Sequence, residues 1–221
     1  VALFARLRLV VTHEYEQMMD QVELEPVHTR ELLGQQGHNV VIGAFAALAS
    51  FALFHIVTVF PLSWIQLYSG QSVTGFLMIQ IVGGFLAAGA MVVSGRIADI
   101  FGRRRTLGTL AAMIAVFSGF APTLLGGGEL GQDVFILIGF ILLGLSYGQS
   151  SGTVTANFGP RYRYTGAALT ADFAWLLGAA FAPQVALGLS VRFGLNAVGL
   201  YLLSGALCPK VATRANSLLQ A

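Results

Sequence analysis

Long apolar runs alternate with short polar segments along most of the chain. Positions 32–95 contain no Asp, Glu, Lys or Arg, and four further apolar runs follow before position 208. A helix needs about 20 apolar residues to cross roughly 30 Å of hydrocarbon, and an open sheet edge is not stable in lipid. The pattern therefore predicts an all-α, multi-pass membrane protein with helices at about 39–60, 73–94, 107–125, 134–155, 165–190 and 194–207.

The two ends of the chain do not follow this pattern. Residues 1–38 begin like the end of a preceding helix and continue as a polar, mostly acidic linker, with a short helix predicted at 29–33. The sixth run is short, and Pro209 and the residues after it are not expected to extend it. The chain thus divides into a cytoplasmic linker (1–38), a six-helix domain (39–208) and an atypical tail (209–221).

Composition agrees with lipid as the solvent and excludes several classes of function. Charged residues make up 10% of the chain and the mean hydropathy is +0.75, whereas about 25% charge is usual in soluble domains. There is no basic face with interleaved aromatics for nucleic acid, and the lone Cys208 offers neither a disulfide nor a metal-ligand spacing. No phosphate-binding loop or nucleophile–base arrangement is present. The sequence therefore predicts neither an enzyme nor a cofactor.

Charge alternates from one turn to the next. The second and fourth turns are basic, the third carries only Glu129 and Asp133, and the first carries no charge. Cytoplasmic turns of membrane proteins carry an excess of Lys and Arg. This alternation predicts that the second and fourth turns and both termini face the cytoplasm.

The second turn reads GRIADIFGRRRTL and resembles a signature of the major facilitator superfamily. The matching residues include Gly95, Asp99, Gly102, Arg103, Arg104 and Arg105, while Ile100 departs from the usual basic residue. The two glycines permit close backbone approach and unusual dihedrals, and the aspartate can form and re-form charge-assisted pairs with the arginines. We interpret the turn as a gate between transport states; the alternative is a basic turn that only fixes orientation.

A second segment, FGPRYRYTGAALTADFAWLLGAAFAPQVA at 158–186, resembles the metabolite:proton symporter branch of that superfamily. Arg161, Arg163 and Tyr164 form its cytoplasmic junction, and Pro183 is expected to kink the fifth span. The resemblance implies the C-terminal half of a twelve-helix carrier, built of 3+3 inverted repeats, in a bacterial inner membrane. It also implies that an N-terminal six-helix half is required for a complete substrate site.

Polar side chains inside the spans are candidates for the substrate or proton path. Asp172 and His55 are the ionisable candidates for proton coupling, because charged groups within spans are rare and His titrates near neutral pH. Trp175 lies about one helical turn after Asp172. Gln80, Gln149 and Gln184 are candidates for binding a polar solute. For each of these residues, packing or interhelical hydrogen bonding remains the alternative.

Gly144, Gly148 and Gly152 recur at every fourth position and predict a close helix–helix contact. Together these features predict a proton-coupled symporter of a small organic acid or zwitterionic metabolite, embedded in membrane lipid and working by alternating access between two halves. The alternative is a truncated or remnant half-transporter without transport activity, which acts as a membrane interaction module.

Overall fold

The structure is a computed structural model, and it describes residues 27–156, 158–178 and 180–215. These residues form helices and turns, which confirms the predicted all-α class. In chain order the α-helices are α1 (Thr29–Thr58), α2 (Phe60–Tyr68), α3 (Val73–Phe101), α4 (Arg103–Gly126), α5 (Gly128–Ala156), α6 (Arg163–Gly178), α7 (Ala182–Phe193) and α8 (Leu195–Ala215), with a 3₁₀ turn at Pro160–Tyr162 before α6.

Five helical segments in the described part of the chain are long and apolar enough to cross a membrane. They are Thr29–Tyr68, Val73–Phe101, Arg105–Gly126, Gly128–Gln149 and Arg163–Phe193. The sixth predicted span corresponds to the shorter apolar helix Leu195–Cys208. The apolar pattern thus located all six elements.

Both outer boundaries differ from the prediction. Helix α1 begins at Thr29 rather than near Asn39, so the residues predicted as the end of the linker are helical. At 1.5 Å per residue, the 40 residues of Thr29–Tyr68 span about 60 Å, and the polar start therefore projects beyond a roughly 30 Å hydrocarbon core. At the other end α8 continues through Pro209 to Ala215, which corrects the predicted end at Leu207, because one proline removes only one helical donor.

Proline interrupts the first and fifth spans. Pro61 lies in the first turn of α2, just after the break at Val59. Pro183 lies in the first turn of α7, which begins at Ala182 after α6 has ended at Gly178. The fifth span is therefore two helices, which confirms the predicted distortion at Pro183. The break at Val59 lies next to the predicted end of the first helix at 60, and α2, which occupies the predicted turn between 60 and 73, was not predicted.

Helix α1 lies at the centre of the bundle and α3 at its edge. In the most apolar window of Thr29–Tyr68, 72% of the residues are buried, compared with 11% in α3. Helix α1 packs on α5, α6 and α8, while α3 packs mainly on α5. The exposed side chains of α3 include Phe85, Val92 and Ile100. An apolar helix with so little cover needs lipid or further protein around it.

Candidate functional site

The arginine-rich turn is almost entirely helical. Helix α3 ends at Phe101 and α4 begins at Arg103, so only Gly102 separates them. Gly102 has a φ of 86°, a conformation that side-chain-bearing residues rarely adopt. The predicted reason for Gly102 is therefore confirmed. At Gly95, which lies inside α3 without a positive φ, the predicted unusual dihedral was wrong, and an added Cβ would meet none of the described residues.

Arg103 connects this turn to the end of α5. Its Nη1 donates a hydrogen bond to the carbonyl oxygen of Gly152 at 3.3 Å. A Cβ on Gly152 would lie 3.2 Å from the same nitrogen, so the small residue leaves the guanidinium room to approach. The contact joins the second turn to the helix that leads into the fourth.

The other described charges of the turn are open to solvent. Asp99, Arg96 and Arg105 are exposed, and Asp99 makes no ion pair with any side chain that the structure describes. The side chain of Arg104 lies outside the described part. A pair between Asp99 and the arginines therefore stays a prediction.

The fourth turn is bound to the polar start of α1. Arg161 Nη2 lies 2.9 Å from Glu31 Oε1 in an ion pair, and the Tyr162 hydroxyl lies 2.7 Å from Gln35 Oε1 and 3.3 Å from Glu31 Oε1. Below them Phe158 is buried with Leu32 and Val40. Of the three predicted junction residues Arg161 makes this contact, whereas Arg163 and Tyr164, at the start of α6, make no hydrogen bond or ion pair with the described residues.

Sequence reasoning missed Glu31, Gln35 and Tyr162, and it included Phe158 only as part of the resemblance at 158–186. The available signal was the position of Glu31, which is the last acidic residue before the charge-free region at 32–95. Its partner, 130 positions later, becomes adjacent only after the bundle has formed.

Loss of the Glu31–Arg161 ion pair is expected to cost little stability. The two side chains are 34% and 63% exposed, and pairs exposed to this degree contribute about 0.2–1 kcal/mol. In a double-mutant cycle of Glu31→Gln and Arg161→Gln, measured by unfolding in detergent, we expect a coupling energy within that range. A coupling well above it would mean that the junction is desolvated in the intact protein.

His55 and Trp175, both half-buried, lie side by side where α6 packs on α1. Their ring centroids are 5.7 Å apart, and Trp175 also contacts Phe51 at 4.9 Å and Phe54 at 5.4 Å. Tyr147 of α5 completes the group, 5.6 Å from Phe51. We call these five side chains the aromatic cluster. It joins α1, α5 and α6 at spacings typical of favourable aromatic pairs.

A buried polar atom of the aromatic cluster has no partner among the described residues. The Nδ1 of His55 is buried and makes no hydrogen bond with any residue that the structure describes. A buried nitrogen of this kind costs free energy unless something else satisfies it. The cluster therefore combines apolar ring surfaces with a buried hydrogen-bonding group that no described residue satisfies.

Gln80 and Gln149 serve as interhelical links. Gln80 Nε2 donates to the carbonyl oxygen of Thr58 at 2.8 Å and to that of Val57 at 3.5 Å. The Val57 carbonyl lacks its usual helical donor because Pro61, four residues later, has no N–H. Gln80 thus compensates for the break between α1 and α2.

Gln149 is buried and fastens α5 to α3. Its Nε2 donates to the carbonyl oxygen and the hydroxyl of Ser94 at 2.7 and 2.8 Å, and Ser94 Oγ donates to the Leu145 carbonyl at 2.5 Å. For both glutamines the structure supports the alternative interpretation of interhelical hydrogen bonding over solute binding.

Asp172 and Gln184 are exposed in the structure. Neither makes a hydrogen bond or ion pair with the described residues. Trp175 is half-buried three residues after Asp172, so the two predicted neighbours have different surroundings. The structure brings His55 and Trp175 together and leaves Asp172 and Gln184 apart from the aromatic cluster.

Comparison with known proteins identifies the family of this chain. Residues 1–183 match the Major Facilitator Superfamily. The inner membrane metabolite transport protein YhjE of Escherichia coli is 32% identical over 211 residues, which cover 91% of this chain and 47% of that protein. A putative metabolite transport protein of Haemophilus influenzae is 27% identical, covering 98% of the chain and 52% of that protein.

The shikimate transporter of E. coli is 29% identical over 180 residues, which cover 75% of the chain and 40% of that protein. No solved structure matches the chain. The chain spans about half the length of the curated relatives it matches. With the superfamily match over most of its residues, and with spans that fit one half of that fold, the chain belongs to the major facilitator superfamily.

Proposed function

We propose that this chain forms the C-terminal half of a proton-coupled carrier for a small organic acid or zwitterion. The observation that carries the proposal is the aromatic cluster, with the unpartnered Nδ1 of His55 inside a membrane span. Transporters of this type bind substrate near the membrane midplane, between two halves that alternate in access.

The chemistry of the aromatic cluster favours a compact organic acid. The rings of Phe54 and Trp175 offer apolar surface to a carbon skeleton. An imidazole donates to a carboxylate when protonated, and the resulting charge-assisted bond is stronger than a neutral one. The name of the shikimate transporter, a relative of 29% identity, supports the same class of substrate.

The exposed surfaces of this chain support the proposal that a second, N-terminal half packs against it. Helix α3 is apolar and only sparsely covered. Asp172 and Gln184 are exposed and make no hydrogen bond or ion pair with the described residues. A second six-helix half would cover part of this surface and complete the substrate site. With the arginine-rich turns at the cytoplasmic side of an inner membrane, Asp99 and Arg103 would lie where the two halves meet or part.

The test is uptake by the intact product of the gene, reconstituted in vesicles with an imposed pH gradient. A panel of labelled organic acids, zwitterions and neutral sugars separates the substrate classes. We expect accumulation of an acid or zwitterion that collapses with a protonophore. Accumulation of a neutral sugar alone would contradict the substrate class, and absence of uptake across the panel would favour the non-transporting alternative.

Asp172→Asn is expected to uncouple uptake from protons. Coupling to one proton permits up to about tenfold accumulation for each pH unit of gradient. In the Asn variant we expect the inside-to-outside ratio of substrate to fall to about one, while exchange at equal pH persists. Gln66→Asn, at an exposed polar position in α2 that is not a candidate for the substrate path, is the matched control. Unchanged pH dependence in Asp172→Asn would exclude this carboxyl as the coupling group.

A further inference from the structure

A groove of about 500 Å³ lies between α3 and α4. The two helices share few contacts with each other, although both pack against α5, so the surface between them is open. Apolar side chains of all three helices line it. They are Ile97, Phe101, Leu110, Met113 and Leu145.

Arg105 is the one cation among the described residues that line this groove. The lining hydroxyls of Ser94, Thr106 and Thr109 each donate to a backbone carbonyl and are satisfied. The guanidinium of Arg105 is exposed and has neither an ion pair nor a hydrogen bond with the side chains that the structure describes. It is therefore available to a ligand from outside the chain.

Shape and charge together select an amphiphile. From Arg105 to Met113 the lining of α4 extends about 12 Å along the helix axis, a length suited to a stretch of hydrocarbon chain. Asp99 lies two residues from both Ile97 and Phe101, about 200° round α3, so its carboxylate is directed to another face. An anionic head at Arg105 would thus meet a cation without an acid beside it in the groove.

A second groove on α4 serves as a comparison for the effect of Arg105 on ligand selectivity. It has about the same volume, 530 Å³, and is lined by residues such as Val116, Phe120 and Ile138, with no Lys or Arg among its described lining. Any acyl chain could occupy it. The groove between α3 and α4 differs by offering a charge that discriminates between headgroups.

We propose that the groove between α3 and α4 binds an anionic phospholipid, with its phosphate on Arg105 and an acyl chain along Ile97, Leu110 and Met113. Basic sites between membrane helices favour anionic lipid headgroups. The site is separate from the aromatic cluster, so lipid binding there does not depend on which solute is transported.

Native mass spectrometry of the intact gene product in detergent tests this proposal. Titration with phosphatidylglycerol and with phosphatidylcholine of the same acyl chains should show about fivefold tighter binding of phosphatidylglycerol, the preference that one arginine near a membrane surface provides. Arg105→Gln should remove the preference and Arg105→Lys should retain it. Arg192→Gln, which alters an exposed arginine at the end of α7, should leave the preference unchanged.

Two further variants test the acyl chain. Ile97→Trp should obstruct this groove and weaken phosphatidylglycerol binding, whereas Val116→Trp in the second groove should not. A preference that survives Arg105→Gln, or that is absent from the wild type, would overturn the proposal. Loss of the lipid to millimolar inorganic phosphate would show a site for free phosphate and would overturn it equally.

Discussion

Gly144→Ala is expected to destabilise the protein by about 3 kcal/mol, the upper end of the cost of overpacking a core. A Cβ at this position would overlap the carbonyl oxygen of Ala87 and lie 2.8 Å from its carbonyl carbon. These are backbone atoms of α3 and cannot rotate away, so α3 and α5 must separate along their contact. Thermal unfolding in detergent, followed by fluorescence of the two tryptophans, should show a midpoint lower by about 10 °C.

A graded series of glycines makes this prediction specific. At Gly148 an added Cβ would meet the Met91 carbonyl oxygen at 3.1 Å, so Gly148→Ala should cost about 1 kcal/mol. At Gly89 it would meet open space, and Gly89→Ala should be neutral or stabilising by up to about 1 kcal/mol through helix propensity. Equal effects at all three positions would contradict close packing of α3 on α5.

The glycine series also shows what the sequence could and could not provide. The spacing of Gly144, Gly148 and Gly152 predicts a close helix–helix contact. The structure confirms it for Gly144 and Gly148, which lie against Ala87 and Met91 of α3, whereas Gly152 lies against the side chain of Arg103 at the start of α4. Nothing local identifies α3 as the partner, because a small-residue face accepts any helix that fits. The local pattern thus predicted a packed helix surface, and the tertiary structure determined which helix packs against it.

The helix boundaries have a similar explanation. Apolar runs reveal where a chain lies in lipid, and they placed all six elements. A helix continues into water while its own hydrogen bonds and a few contacts support it, as at Glu31 and Leu32 in the extension of α1. Hydropathy carries no information on that extension, so the predicted start at Asn39 was ten residues late.

In the candidate site, the sequence predicted which residues take part, but it did not predict which residues they contact. His55 and Trp175 were both candidates, but they lie 120 positions apart, and only the packing of α6 on α1 brings their rings together. Gln80 shows the opposite case. It donates to two carbonyls at the end of α1, and one of them, that of Val57, lacks a donor because of Pro61, which becomes visible once the break between α1 and α2 is known.

His55→Leu is expected to reduce substrate uptake by at least about tenfold while leaving the fold intact. A hydrogen bond to a charged group contributes about 1.5–3 kcal/mol, which corresponds to roughly 10- to 100-fold in affinity. The measurement is initial uptake at several substrate concentrations by the intact gene product in vesicles. His38→Leu is the control, because His38 is an exposed histidine on the same helix.

Stability distinguishes a binding histidine from a packing histidine. The buried Nδ1 without a partner is a cost to the empty protein, so replacing the imidazole by an apolar side chain should raise the free energy of unfolding, by up to about 1 kcal/mol. Loss of uptake together with a gain in stability is typical of functional sites, where polar groups are held ready for a ligand. If His55→Leu instead destabilises the protein by several kcal/mol, the lost uptake follows from damage to the aromatic cluster. Unchanged uptake would remove His55 from the substrate path altogether.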